Sequence, residues 1–257
     1  MTFWLNGQFR EDTIAIDVAD RGFLLGDGVF ETLLLKYGEP VFLAAHLRRM
    51  RAGAAALRID IQLDDNDMLA AIRELARRNN IVEGAGWARL TLSRGVGPRG
   101  LAIADGAWAA TLLMTANSYE PPMTTKPAKL MVCNHRRNEH SVASHWKTLN
   151  YLDNILARDE ALAAKADEAV MLNSARRVAC ASSANIFLIR GRTVVTPPLE
   201  EGAMAGCVRA ILLEHGPSTG VEVRAEPVEM QELASAGVFI TNSLIGLRAG
   251  MLRGARQ

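Results

Sequence analysis

Residues 117–127 read NSYEPPMTTKP, with prolines at 121, 122 and 127 in a polar setting. Proline removes a backbone donor and steers the residue before it away from the helical region. Neither a helix nor a central strand can run through such a stretch, so the chain must complete its folding on each side of it. The pattern predicts an interdomain linker over 118–127, an N-terminal α/β domain over 1–117 and a C-terminal domain over 128–257. A chain of 257 residues has the length for one large domain or two moderate ones, in either case with a sizeable core.

On the N-terminal side, FWLNGQFR holds an Asn-Gly pair, which favours a two-residue hairpin between short strands. VFETLLLKYGEPVFL repeats the idea, with two β-rich arms around Tyr37-Gly38-Glu39. From Ala44 the period changes: Leu47, Met50, Ala54 and Leu57 recur at three- and four-residue steps and predict an amphipathic helix. A second helix is predicted over about 64–78, and WARLTLSRG and AWAATLLMTAN read as buried strands. Beyond the prolines come a strand near Leu130, a helix after Lys147, and strands around EAVMLN, RVACA and NIFLIRGRTVVTPP. A helix from about Gly206 and strands around VEVRA and GVFITN complete the order. Helices and strands do not alternate strictly, which predicts an α+β chain in two halves rather than a doubly wound sheet.

Several function classes are excluded by composition. The net charge is +1 and basic and acidic residues interleave, unlike a nucleic-acid footprint. No apolar run reaches the ~18 residues needed to span a bilayer. The opening MTFWLNGQFRED turns polar too early for a secretory signal. Cys133, Cys180 and Cys207 form no CxxC pair and the histidines show no HExxH spacing, so neither a disulfide framework nor a metal site is expected. A cytoplasmic globular protein is the expectation, with a small-molecule substrate and neither nucleic acid nor membrane as partner.

Four segments could carry chemistry. In SHWKTLNYLDNILARDEAL, Lys147 stands at the seam between a loop and a helix predicted to start at Thr148 or Asn150, with Leu149, Leu152, Ile155 and Leu156 as its packed stripe. Partial burial there would lower the amine's pKa toward use as a base or Schiff-base former, although most lysines are solvated. Arg49, in HLRRM, could pin a phosphate by paired charge-assisted bonds, but a solvated arginine is the commoner case. A helix entered at Gly206 offers free N–H groups, a seat for phosphate that any such helix shares. In TLSRGVGPRG, Arg94 and Arg99 could grip a carboxylate, or the segment could be a plain flexible loop.

Taken in order along the chain, these segments resemble the fold-type IV (class IV) pyridoxal-phosphate enzymes. That family includes aminodeoxychorismate lyases and the D-amino-acid and branched-chain aminotransferases. The motifs that carry the resemblance are RGFLLGDGVFET (21–32), His46 with Arg49, SRGVGPRG (93–100) and KTLNYLDNILA (147–157). ANIF (184–187), TPPLEEGAMAG (196–206) and TNSLIGL (241–247) continue it, so it covers nearly the whole chain. The resemblance implies a smaller N-terminal α/β domain, a larger C-terminal pseudo-barrel domain and a homodimer. It implies that Lys147 bonds to the aldehyde of pyridoxal 5'-phosphate and then shuttles the proton. Arg49, the backbone N–H groups of Cys207 and Val208, and Thr241 and Asn242 match its phosphate-side positions.

Two positions depart from the family pattern. Five residues before the asparagine of ANIF the family normally carries a glutamate against the cofactor's pyridine nitrogen; here stands Cys180. A thiol, with a reference pKa of ~8.5, is a poor counter-ion for a pyridinium. Phe30 closes GDGVF where aminotransferase relatives usually have a tyrosine and lyases commonly have phenylalanine. A third detail points away from the lyases: Arg248-Ala249 follows the last motif where the family often continues Pro-Val. The resemblance therefore implies first a lyase releasing pyruvate and 4-aminobenzoate, with Phe30, Arg94 and Arg99 toward the substrate. An aminotransferase is the alternative, and a cofactor-binding homologue with weakened catalysis the third reading.

Overall fold

The computed structural model describes residues 1–103, 108–121 and 126–253. Two compact units result: Met1–Pro121 together with Lys147–Asn150, and Pro122–Trp146 together with Tyr151–Gln257. Of the proline-rich linker expected over 118–127, residues 122–125 lie outside the described residues.

The first unit opens with the expected hairpin, β1 (Thr2–Leu5) and β2 (Gln8–Glu11), turned at Asn6 and Gly7, both at positive φ. After the short helix α1 (Arg21–Leu25) come β3 (Gly28–Lys36), β4 (Glu39–Pro40), α2 (Leu43–Ala56), α3 (Asp65–Arg78), β5 (Ala85–Ser93) and β6 (Thr111–Ser118). The second arm of the 28–43 hairpin is only two residues long. Pro40 cannot donate to a ladder, and Phe42 at φ 57 turns the chain into α2. The Asp64 side chain accepts from Asp67 N at the start of α3, and Arg77 and Arg78 end it, matching the helix dipole at both ends.

The strands form one antiparallel sheet, β2-β1-β6-β5-β3-β4. The pleat sends alternate residues of β3 to opposite faces. Val29, Leu33 and Leu35 enter the core with Leu47 and Met50 of α2 and Met68, Ile72 and Leu75 of α3. Glu31 shares that buried face, while Phe30, Thr32 and Leu34 project to the other.

The second unit runs β7 (Ala128–Arg137), α4 (Val142–His145), α5 (Leu152–Ala163), β8 (Glu168–Asn173), β9 (Val178–Ala181), β10 (Asn185–Arg190) and β11 (Thr193–Thr196). It closes with α6 (Cys207–His215), β12 (Glu222–Ala225), β13 (Gly237–Asn242) and β14 (Gly246–Leu252). Its eight-stranded sheet has the order β12-β11-β10-β13-β14-β7-β8-β9. Three of its pairings, β11–β12, β14–β7 and β7–β8, are parallel and the others antiparallel. Every residue of β8 is buried, the pattern of a strand covered on both faces. Among the described residues no helix is long and apolar enough to cross a membrane.

Two sequence expectations are corrected around Lys147. The helix begins at Leu152, not at Thr148 or Asn150, because residues 147–149 pair with the start of β3 instead. Phe30 N donates to Lys147 O at 2.8 Å, Leu149 N donates to Gly28 O at 2.9 Å, and Thr148 bridges Val29. The expected apolar stripe is also turned outward: α5 buries Asn154, Ala157 and Ala161, and leaves Leu152, Ile155 and Leu156 exposed. The sequence reading also omitted β14.

Candidate active site

Lys147 is held by a short strap, residues 147–150, laid along the start of β3. Gly28 makes the approach possible: a Cβ there would lie 2.2 Å from Leu92 O and 2.8 Å from Leu149 Cδ1. Asn150 Nδ2 donates to Gly26 O at 3.0 Å and anchors the far end. So anchored, the strap places Lys147 Nζ 4.1 Å from the centroid of the Phe30 ring. The guanidinium carbon of Arg89 lies 3.8 Å from the same centroid, and Arg89 Nε donates to Thr91 Oγ1 at 3.1 Å. Thr91 sits opposite Phe30 in the β3–β5 register, so these side chains share one face of the sheet. Sequence reasoning passed over Arg89; its signal was a cation at an alternate position of the apolar run WARLTL.

On the opposite face of β3, the neighbouring Glu31 is fully buried and bonded to two residues of α2. Arg49 donates through Nε to Oε1 and through Nη2 to Oε2, both at 2.6 Å, and His46 Nδ1 lies 2.7 Å from Oε2. Burial alone would push the Glu31 carboxyl up, but the bonds from Arg49 and His46 and their charges outweigh it and hold it below its usual range. Arg49 is therefore brought to a carboxylate of its own unit. Glu31, too, was missed by the sequence reading.

The two arginines of SRGVGPRG separate. Arg94 is buried, donating through Nε and Nη2 to Asp27, through Nη1 to Arg58 O at 3.0 Å and through Nη2 to Leu57 O at 2.7 Å. Arg21 shares Asp27 through Nε at 2.8 Å and ties down the loop by donating to Gly100 O and Leu101 O. Burial raises the Asp27 pKa, yet the bonds and charges of Arg94 and Arg21 prevail and lower it. Arg94 is thus an internal clamp, a setting that weighs against its gripping a substrate. Arg99, on the clamped loop, is exposed.

In the second unit, α6 starts at Gly206 with no side-chain cap, so its first N–H groups lack helical acceptors. A Cβ at Gly206 would lie 1.9 Å from Asn185 Oδ1, so the amide packs directly on the turn that starts α6. Asn185 pairs with Thr241 across β10 and β13, and Thr241 Oγ1 is buried with no hydrogen-bond partner among the described residues. Asn242 accepts from Leu244 N and Ile245 N at 2.9 Å each, and so shapes the turn after β13. Cys207, Val208, Thr241 and Asn242 are accordingly placed around the start of α6 and the end of the neighbouring strand. Such an uncapped helix start beside an unsatisfied hydroxyl can hold an anion.

Cys180 is buried among Cys133, Ala157, Ala169 and Met171. Burial pushes its thiol up; Arg137 pulls it down and Glu168 adds to the rise. Arg137 is itself buried and, among the described residues, donates to neutral acceptors: Gly202 O, Asn154 Oδ1 and Ser144 O. This end of the unit offers a cation and a thiol whose ionisation burial opposes.

The sequence model of the amino-transferase class IV family matches residues 28–250. The chain belongs to that family. Class IV members are pyridoxal-phosphate enzymes, both lyases and aminotransferases. Over 246 residues the chain is 31% identical to a Methanocaldococcus jannaschii protein provisionally named a branched-chain-amino-acid aminotransferase, covering 95% of this chain and 84% of that one. With an aminodeoxychorismate lyase of Bacillus subtilis it shares 29% identity, over 94% of this chain and 83% of the relative. The crystal structure of 4-amino-4-deoxychorismate lyase from Pseudomonas aeruginosa superposes with a TM-score of 0.84 at 31% identity, covering 98% and 91% of the two chains. Fold-type IV is thereby shown, and the eight-stranded sheet is its curled half-barrel.

Each unit has groups that fit part of the family cofactor. In the first, Lys147 supplies an amine. In the second, the α6 start and the orphaned Thr241 hydroxyl suit a phosphate, and β9 brings Cys180 and no acid.

Proposed function

We propose that this enzyme binds pyridoxal phosphate and acts as an aminodeoxychorismate lyase, releasing pyruvate and 4-aminobenzoate in folate biosynthesis. The observation that carries this reading is the setting of Phe30, whose ring meets both Lys147 and Arg89. An aromatic face bordered by a second cation suits a ring-bearing substrate with more than one carboxylate. Bound pyridoxal phosphate supplies an aldehyde for the substrate's amine and an electron-withdrawing ring. Lys147 acts through Nζ, taking the proton from the carbon that bears the substrate's amine. That electron pair forms the new ring double bond as the enolpyruvyl C–O bond breaks, and the enolpyruvate that leaves takes up a proton at its methylene carbon to become pyruvate. Phe30 brings no hydroxyl to the reaction and orients by its face. Arg89 and the exposed Arg99 are the candidates for the carboxylates. Arg49, the N–H groups of Cys207 and Val208, and the Thr241 hydroxyl would hold the phosphate.

The test is to supply aminodeoxychorismate without any keto acid. Pyruvate and 4-aminobenzoate in equal amounts are expected; their absence overturns the lyase reading. An aminotransferase is the second reading, favoured by the 31% identity to the M. jannaschii relative, and would require a keto acid for turnover. A homodimer is part of the proposal, supported by the exposed row Leu152, Ile155, Leu156 and Leu162 on α5. The three cysteines are buried and unpaired, which supports a cytoplasmic protein.

A further inference from the structure

We propose that Glu31 is the positioning residue for Arg49, fixing the plane of its guanidinium for phosphate recognition; this rests on the reading that Arg49 meets the cofactor phosphate. Glu31 stands on β3 next to Phe30, and the pleat sends the two side chains to opposite faces. One residue therefore reaches Lys147 and the next reaches Arg49.

The Glu31–Arg49 contact is a two-pronged fork, Nε to Oε1 and Nη2 to Oε2, each at 2.6 Å. Two parallel bonds set both the place and the plane of a guanidinium, which one bond or a point charge cannot do. The carboxylate is itself immobilised: it is fully buried, and His46 Nδ1 lies 2.7 Å from Oε2.

Charge and geometry make opposite predictions here, which gives the inference its test. Glu31 cancels the charge of Arg49, so by electrostatics alone its removal would leave a stronger cation and a tighter phosphate site. If Glu31 supplies direction, its removal lets the guanidinium turn and the phosphate site weakens. The quantity that isolates this is the ratio of affinities for pyridoxal phosphate and for pyridoxal, which differ only in the phosphate group. Each is titrated into cofactor-free full-length protein and followed by tryptophan fluorescence.

For Glu31→Gln the ratio is expected to fall at least tenfold, with pyridoxal binding within about twofold of wild type. Unchanged or increased phosphate selectivity overturns the inference, and so does a lowered melting temperature with an unchanged ratio. Should Glu31→Gln not fold, Glu31→Asp takes its place: the carboxylate stays but is one methylene short of closing the fork, and the ratio is again expected to fall. Wild-type protein that binds pyridoxal as tightly as pyridoxal phosphate overturns the phosphate reading of Arg49, and this inference with it. A discriminating wild type with indifferent variants overturns the inference alone.

Discussion

Lys147 and Phe30 hold one another twice: the Phe30 N–H donates to the Lys147 carbonyl at 2.8 Å, and the Lys147 amine lies 4.1 Å from the Phe30 ring centroid. The main-chain bond fixes where the lysine leaves the backbone, and the ring fixes where its amine rests. An amine held in this way is ordered before any ligand arrives.

Lys147→Ala should abolish the yellow colour that pyridoxal phosphate gives the wild-type protein, together with all turnover. Phosphate-end binding should persist, because Cys207 and Thr241 are untouched. An absorbance scan of both proteins with added cofactor decides it. A wild-type protein that stays colourless would remove the cofactor assignment altogether.

Arg89 and Arg94 should separate in their effects. Arg89→Ala is expected to raise KM about tenfold or more with little change in melting temperature, since its guanidinium stacks on a half-open face of the sheet. Arg94→Ala leaves the Asp27 carboxylate short of one cation in a buried cluster, and should cost about 3 kcal/mol or more of stability. Steady-state kinetics and urea denaturation on the same two variants are the check.

Cys180→Glu is expected to keep cofactor affinity near wild type and to raise turnover several-fold. The buried Arg137 gives the new carboxylate a partner that the thiol leaves unused. Cys180→Ala should behave like wild type. A slower Cys180→Glu enzyme would mean that the thiol suits the reaction as it stands.

Acid should loosen the clamp around Asp27. Its folded pKa lies below the ordinary value, so the unfolded chain binds its proton first as pH falls. The stabilisation is complete above the unfolded value of about 4 and is lost as pH falls through the lower folded value. Urea denaturation between pH 2.5 and 6 should show wild type losing stability over that window. Asp27→Asn should be weaker at pH 6 and flatter with pH, so that the two proteins converge as pH falls.

The row on α5 should matter for assembly. Ile155→Glu is expected to shift sedimentation equilibrium from dimer to monomer while leaving the far-ultraviolet circular dichroism unchanged, because Ile155 is exposed within the chain. A wild-type monomer at micromolar concentration would refute the homodimer.

What was legible in the sequence was what local chemistry decides. The Asn6-Gly7 turn, the period of α2 and the Asp64 cap of α3 each depend on neighbours within a few residues. The start of α5 was misread because Thr148 and Leu149 are paired with β3, more than a hundred residues away, and long-range pairing overrides a local cap. The apolar stripe of α5 had the right period, but period alone does not say whether a face turns inward. Glu31 and Arg89 escaped notice for a related reason: each is one charged residue in an apolar strand, and its partner is known only once α2 or β3 is in place. Lys147, Arg49 and the α6 start were singled out by the order of motifs rather than by any one of them.

The strap 147–150 belongs to the first unit although its chain neighbours on both sides belong to the second. A gene fragment ending at residue 121 would encode the whole first sheet and still lack Lys147. Gly28 would then border a gap where Leu149 had been. The two units are therefore not interchangeable cassettes: a hybrid that takes its first unit from one relative must take these four residues from the same parent.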